Sequence, residues 1–134
     1  MSDFVLDSRL ENDTIELGAL DLCSVRLMND SRYPWLILVP QRPNVSEIVD
    51  LDEADAAQLM REIRIATRVM LEVAKPDKVN VAALGNVVAQ MHVHVIGRFL
   101  SDPAWPGPVW GRGEAIPYPP HGAQALIDRF TQAF

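Results

Sequence analysis

The chain has 134 residues, of which 49% are apolar, and this length suits one domain with one ordinary hydrophobic core. Its formal net charge of −6 argues against a surface that coats nucleic acid, because binding to a phosphate backbone depends on lysine and arginine. Without a long apolar run or a secretory start, we expect a soluble, cytoplasmic protein that binds no membrane. We therefore predict a single domain over residues 1–134, with a core at about 20–100 and a tail at 101–134.

Two strand patterns come first in the chain. Residues 23–28 and 35–39 are apolar or alternating, and turn-forming residues separate them, so an antiparallel hairpin is predicted. Cys23 is the single cysteine of the sequence, which excludes an internal disulfide and a cysteine-based zinc site. In strand-like surroundings it is expected to be a plain buried thiol.

A long amphipathic helix follows these strands. Asp52 is suited to cap its start, apolar residues recur at helical spacing beyond it, and Lys75 and Pro76 mark its end. The charged residues of this segment fall mainly on the opposite face, where we expect solvent exposure; they are Arg61, Glu62, Arg64, Arg68 and Glu72.

Two further strands, a loop and a tail complete the chain. The patterns at residues 78–84 and 91–99 predict strands. The resulting order of strand, strand, helix, strand, strand predicts an α+β fold. We expect a mostly antiparallel sheet with the long helix packed across it. Residues 102–120 are rich in proline and glycine, so the tail is predicted to be irregular until a short helix at 123–134.

The second of these strands carries two of the three histidines, in the stretch AQMHVHVIGR. Because side chains alternate across a strand, Gln90, His92 and His94 share one face while the intervening apolar residues share the other. The polar face is expected to line a cleft or to meet solvent. Two other interpretations are ordinary polar residues on a half-exposed strand and a metal site, for which the next acid, Asp102, is poorly spaced.

Histidines held in this way are suited to chemistry at phosphorus. A neutral imidazole can attack phosphorus with one ring nitrogen when the other donates its N–H to a fixed acceptor. The loop at Gly85 and Asn86 can present main-chain N–H groups to an anion, and the Asn80 amide can add another donor. This set of groups is typical of phosphoryl or nucleotidyl transfer.

The stretch QMHVHVI resembles the His-φ-His-φ-His-φ-φ motif of the histidine triad (HIT) superfamily of nucleotide hydrolases and transferases, with Gln90 in place of the first histidine. Residues 36–40, residues 51–53 and the glycine loop are similar as well. The resemblance implies a HIT-like fold, a homodimer, and an adenosine or other purine nucleotide as substrate. It further implies a phosphoramidate or dinucleoside polyphosphate hydrolase that needs no metal or cofactor.

The resemblance also assigns residues to roles. It makes His92 the nucleophile that forms a covalent nucleotidyl intermediate, and it places His94 on the phosphate or the leaving group. Gln90, at the first position of the motif, is the third candidate catalytic residue. It puts Asn80, Gly85, Asn86 and Val87 in the phosphate loop, and Asn29, or Asp30 if the alignment slips, on the ribose. For Arg98, a phosphate contact and a surface ion pair both stay open.

The chain also departs from the family pattern at several points. Gln90 cannot carry a proton near neutral pH, so a nucleotide-binding or signalling module with weak or lost catalysis is the alternative function. The transferase branch has glutamine at the last histidine instead, and that pattern does not match here. In the tail, Trp105 and Trp110 could cover a nucleotide, contact a partner or attach the tail, whereas His121 is expected to be exposed.

Overall fold

The computed structural model describes residues 3–134. These residues form one sheet in the strand order β1-β2-β3-β5-β4, with every neighbouring pair antiparallel. This confirms the predicted α+β class with a mostly antiparallel sheet. The strands are β1 (Thr14–Ala19), β2 (Cys23–Met28), β3 (Trp35–Pro40), β4 (Lys78–Ala82) and β5 (Val93–Arg98), and the helices are α1 (Ser8–Asp13), α2 (Glu53–Ala74) and α3 (Gln124–Ala133).

The sequence patterns did not predict α1 and β1, which precede the expected start of the core at about residue 20. Helix α1 has six residues, too few for an amphipathic period, and β1 is an edge strand with a bulge between Glu16 and Gly18. Asp7 caps α1 by accepting a hydrogen bond from the Arg9 main chain, and Leu10 is its buried residue. The amino-terminal segment is thus part of the packed domain.

Helix α2 packs across one face of the sheet, as predicted. The Asp52 side chain caps it by accepting from the Asp55 main chain, and Lys75 ends it in the left-handed conformation with φ of 50°. The helix approaches the sheet closely at Gly97, where an added Cβ would lie 2.9 Å from Pro34 Cγ and 3.0 Å from Met70 Sδ. A larger residue at this position would push β5 and α2 apart.

Glu62 is the one charged residue of α2 for which the predicted solvent exposure is wrong. Its carboxylate is fully buried and accepts hydrogen bonds from the Leu22 and Cys23 main-chain N–H groups, each at 2.8 Å. Gln58 donates a third bond. A buried carboxylate needs such donors. The carboxylate of Glu62 in turn supplies the acceptor for two main-chain N–H groups at the start of β2, and it links this strand to α2. Beside it Cys23 is a buried thiol, as expected, and burial raises its pKa.

The second face of the sheet is also covered, so of the two expected surroundings of its polar residues, a cleft or solvent, the structure shows the cleft. Residues of the amino-terminal segment and of the tail pack on it, and His92 and His94 are only 8% and 4% exposed. The tail lacks regular structure as far as α3, which attaches to the core through the fully buried Phe130. Within residues 3–134, no helix is long and apolar enough to cross a membrane.

Candidate functional site

His92 lies immediately before β5, and a main-chain group fixes its ring. Its Nδ1 atom is 2.7 Å from the Gln90 carbonyl oxygen. A carbonyl can only accept a hydrogen bond, so Nδ1 carries the proton and donates it. In the neutral ring, Nε2 then keeps a lone pair, which is the tautomer required of a nucleophile.

His94 has the opposite tautomer because its partner is a donor. The pairing of β3 with β5 sets Ile37 opposite His94, and Trp35, two residues away on the same face, donates from its indole Nε1 to His94 Nδ1 at 3.0 Å. Nε2 of His94 therefore carries the proton. Burial, with a smaller contribution from His92, lowers the pKa of His94 to about 3, so the ring stays neutral and donates from Nε2 at physiological pH.

The two imidazoles line a cavity of about 400 Å³ and their ring centroids are 4.9 Å apart. The loop before β5 lines part of this cavity. It turns at Gly85, whose φ of 77° is a conformation that favours glycine. Within residues 3–134, the main-chain N–H groups of Gly85, Asn86 and Val87 have no acceptor, so they are available to an anion. The remaining walls come from Leu10, Asp13, Met28, Leu84, Val88 and Trp110.

A second cavity of about 470 Å³ adjoins the first and shares Asp13, Met28 and Trp110 with it. Asn29 and Asp30 both line this second cavity. The Asp30 carboxylate is held by Arg32 and by the Ile116 main chain, so its acceptors are already occupied. Asn29 accepts from the Tyr118 main chain through Oδ1, which leaves its amide nitrogen for a ligand. Of the two, Asn29 is the better placed to contact one.

Gln90 contributes to the site in a way that the sequence did not predict. Its side-chain Oε1 accepts from the Asp7 main chain and its Nε2 donates to the Val5 carbonyl, both at 2.8 Å. The side chain therefore anchors the amino-terminal segment that leads into α1, whose residues Leu10 and Asp13 line the cavity. It is the main-chain carbonyl of Gln90 that orients His92.

Arg98 is not in the surface ion pair that was one of its two expected roles. It is 1% exposed, pairs with Asp102 at 2.8 Å and donates to the Asn80 side chain and the Gly107 carbonyl. The guanidinium thus holds the tail against the sheet, and it lowers the pKa of Asp102 to about 2. Neither Arg98 nor Asn80 lines the cavity of His92, so the structure does not bring these two predicted phosphate contacts to it.

The tryptophans of the tail have separate places in the structure. Trp110 packs edge-on against His94, with centroids 4.9 Å apart, and against Trp35 at 5.9 Å. Trp105 lies 5.8 Å from the Arg98 guanidinium and attaches the tail. His121 is exposed, as expected. In the described part of the chain no cluster of three His, Cys, Asp or Glu side chains is arranged to hold a metal ion.

Comparison with known proteins agrees with this architecture. The HIT domain family model matches residues 9–100, and the chain belongs to this family. Over nearly its whole length, the chain is similar to the crystal structures of two histidine triad proteins. That of Sinorhizobium meliloti 1021 is 46% identical over 98% of both chains with a TM-score of 0.96. That of Bradyrhizobium japonicum is 47% identical over 97% of both chains with a TM-score of 0.94.

A curated relative is similar over part of the chain. The protein named AP-4-A phosphorylase in Mycobacterium tuberculosis is 36% identical over 80 residues, covering 52% of this chain and 40% of that protein. The chain therefore spans about two fifths of the length of the curated relatives it matches. The family predicted from the residues around His92 is confirmed.

Replacing Trp35 with phenylalanine should allow His94 to adopt the other neutral tautomer. The variant keeps an aromatic ring in place but removes the N–H that Nδ1 accepts, so the Nδ1–H form should become populated. Long-range ¹H–¹⁵N NMR of the histidine rings reports the tautomer directly. Trp110→Phe is the matched control, since Trp110 contacts His94 through ring packing, and it should retain the Nε2–H form. Identical His94 spectra for Trp35→Phe and the wild type would contradict this account.

Proposed function

We propose that the protein cleaves nucleotides at a phosphoryl group and that the reaction passes through a covalent nucleotidyl intermediate on His92. The observation that carries the proposal is the hydrogen bond from His92 Nδ1 to the Gln90 carbonyl, which leaves Nε2 as the nucleophile. Membership of the HIT family and the similarity to a protein named AP-4-A phosphorylase support a nucleotide as the substrate.

The chemistry proceeds in two displacements. In the first, Nε2 of His92 forms a bond to the phosphorus, the bond from phosphorus to the leaving group breaks, and the leaving group keeps the electron pair. The ring becomes a cation whose Nδ1–H remains on the Gln90 carbonyl, which stabilises the charge. In the second, water attacks the phosphorus, the P–Nε2 electrons return to the neutral ring, and the proton of the water passes to solvent. A nucleoside monophosphate is released.

The groups around His92 suit the charge that develops in these steps. The His94 Nε2–H and the free N–H groups of Gly85, Asn86 and Val87 are donors for the phosphoryl oxygens. His94 is buried, and a fixed donor is more effective there than in open solvent. In this proposal Gly85, Asn86 and Val87 form the phosphate loop.

The rest of the substrate extends into the two adjoining cavities. The apolar walls at Leu10, Met28 and Trp110 suit a purine base, and the Asn29 amide in the second cavity reaches the ribose. We take an adenosine phosphoramidate or a dinucleoside polyphosphate as the substrate. Inorganic phosphate in place of water in the second displacement would make the reaction a phosphorolysis, which is the activity that the name of the mycobacterial relative states.

A second candidate function rests on the side chain of Gln90. Both of its polar ends are bound to the main chain of the amino-terminal segment, so it supplies neither a proton nor a contact to the reacting atoms. This favours a nucleotide-binding or signalling module with weak catalysis. Saturable binding of a nucleoside monophosphate without any turnover would support that function over the first.

We further propose that the protein is a cytoplasmic homodimer that pairs along β4. This strand is at the edge of the sheet; Val81 within it and Leu84 two residues after its end are 46% and 48% exposed. An edge strand that presents apolar side chains and free main-chain groups is suited to pair with another copy.

Replacing His92 with alanine should abolish turnover of diadenosine polyphosphate. Loss of the nucleophile is expected to lower kcat/KM by about a thousandfold or more, and the adduct of one nucleoside monophosphate should disappear from the intact-protein mass spectrum. His121→Ala is the matched control, because that histidine is exposed in the tail and should leave both measurements unchanged. A His92→Ala variant that keeps the wild-type rate would overturn the assignment.

Replacing Val81 with lysine should dissociate the dimer. A charged side chain at the paired edge must lose its hydration there, which blocks edge-to-edge pairing. Light scattering coupled to gel filtration should give a dimer mass for the wild type and a monomer mass for the variant. Leu100→Lys, at a residue 65% exposed in the turn after β5, is the control and should remain dimeric. A monomeric wild type would refute pairing along β4.

A further inference from the structure

The Gln90 side chain and the Nδ1 proton of His92 are both bound to main-chain groups of the protein. The Gln90 amide is not titratable, and its two ends bind the Asp7 N–H and the Val5 carbonyl. The Nδ1 proton of His92 is held by the Gln90 carbonyl at 2.7 Å. Neither group can deliver a proton to a departing group beside His92 Nε2.

His94 is a hydrogen-bond donor without being an acid. Its Nδ1 accepts from the Trp35 indole, so a proton placed there would face another N–H. Burial holds the ring neutral, and the pKa of about 3 agrees with the geometry. The N–H of a neutral imidazole is a far weaker acid than an imidazolium, so His94 donates a hydrogen bond to the phosphate and keeps its proton.

His92 itself lines two cavities, and apart from the two histidines their titratable side chains are carboxylates. Asp13 lines the cavity that His92 shares with His94, and Glu47 lines a cavity of about 400 Å³ beyond Gly85. Both are exposed, and carboxylates accept hydrogen bonds. Among residues 3–134, the walls of these two cavities therefore hold no general acid for the leaving group.

We propose that this site is selective for substrates whose leaving group departs as a stable anion. Phosphoanhydrides and aryl phosphate esters meet this condition, since the P–O bond breaks and the electron pair stays on a weakly basic oxygen. A phosphoramidate does not, because its nitrogen must gain a proton as the P–N bond breaks. The inference rests on the proposed function and narrows its substrate class to nucleoside phosphoanhydrides such as dinucleoside polyphosphates.

The test uses the wild-type protein and a graded set of substrates. In a series of aryl esters of adenosine monophosphate, kcat/KM should fall steeply as the leaving phenol becomes less acidic. Diadenosine polyphosphate should exceed adenosine phosphoramidate by about a hundredfold or more in kcat/KM, the factor that a positioned general acid ordinarily supplies. At constant pH, added imidazole buffer should accelerate cleavage of the phosphoramidate and leave the anhydride rate unchanged.

The outcomes separate this inference from the proposed function. Equal kcat/KM for the phosphoramidate and the anhydride, or a flat dependence on phenol acidity, would overturn the selectivity while a His92 adduct still supports nucleotidyl transfer. An adduct that forms from the anhydride and not from the phosphoramidate supports both. If neither substrate leaves a nucleotidyl adduct on His92, the proposed function falls, and the selectivity falls with it.

Discussion

The hydrogen bond between His92 Nδ1 and the Gln90 carbonyl is the interaction on which the site depends. This bond selects the tautomer of His92. The bond is maintained because the chain before β5 is fixed at several points. The Met91 N–H binds the Val45 carbonyl at 2.9 Å, the Met91 side chain is buried, and the Gln90 amide is anchored to Val5 and Asp7. The carbonyl of Gln90 therefore has little freedom to leave His92, and Nε2 is kept ready without rearrangement.

Burial of both faces of the sheet keeps the imidazole of His94 neutral. Helix α2 covers one face, and the amino-terminal segment and the tail cover the other. Arg98 and Asp102 hold the tail through a buried ion pair outside the cavity lining, and the same tail places Trp110 against His94. Because His94 is shielded from water and bound by Trp35, it stays neutral and donates from Nε2. Residues distant in the sequence thus determine what this histidine can do.

Periodicity and caps were enough to predict β2, β3 and α2, and the spacing of His92 and His94 was enough to predict a family and a site. The errors share one cause, which is that the partner of a polar side chain lies far away in sequence. The sequence pattern places Glu62 on the surface, but in the structure the main chain at Leu22 binds its carboxylate. A surface ion pair was one expectation for Arg98, but Asp102 of the tail binds it in the interior. Gln90 binds residues 83 and 85 positions away, in a segment too short to show a helical period.

The stereochemical course at phosphorus tests the covalent mechanism most directly. A nucleoside substrate with a P-chiral α-thiophosphoryl group can be hydrolysed in ¹⁸O-labelled water, and the configuration of the product can then be determined by ³¹P NMR. Each in-line displacement inverts the phosphorus, so attack by His92 followed by attack of water predicts overall retention. Overall inversion would show that water attacks the substrate directly, and it would contradict the account.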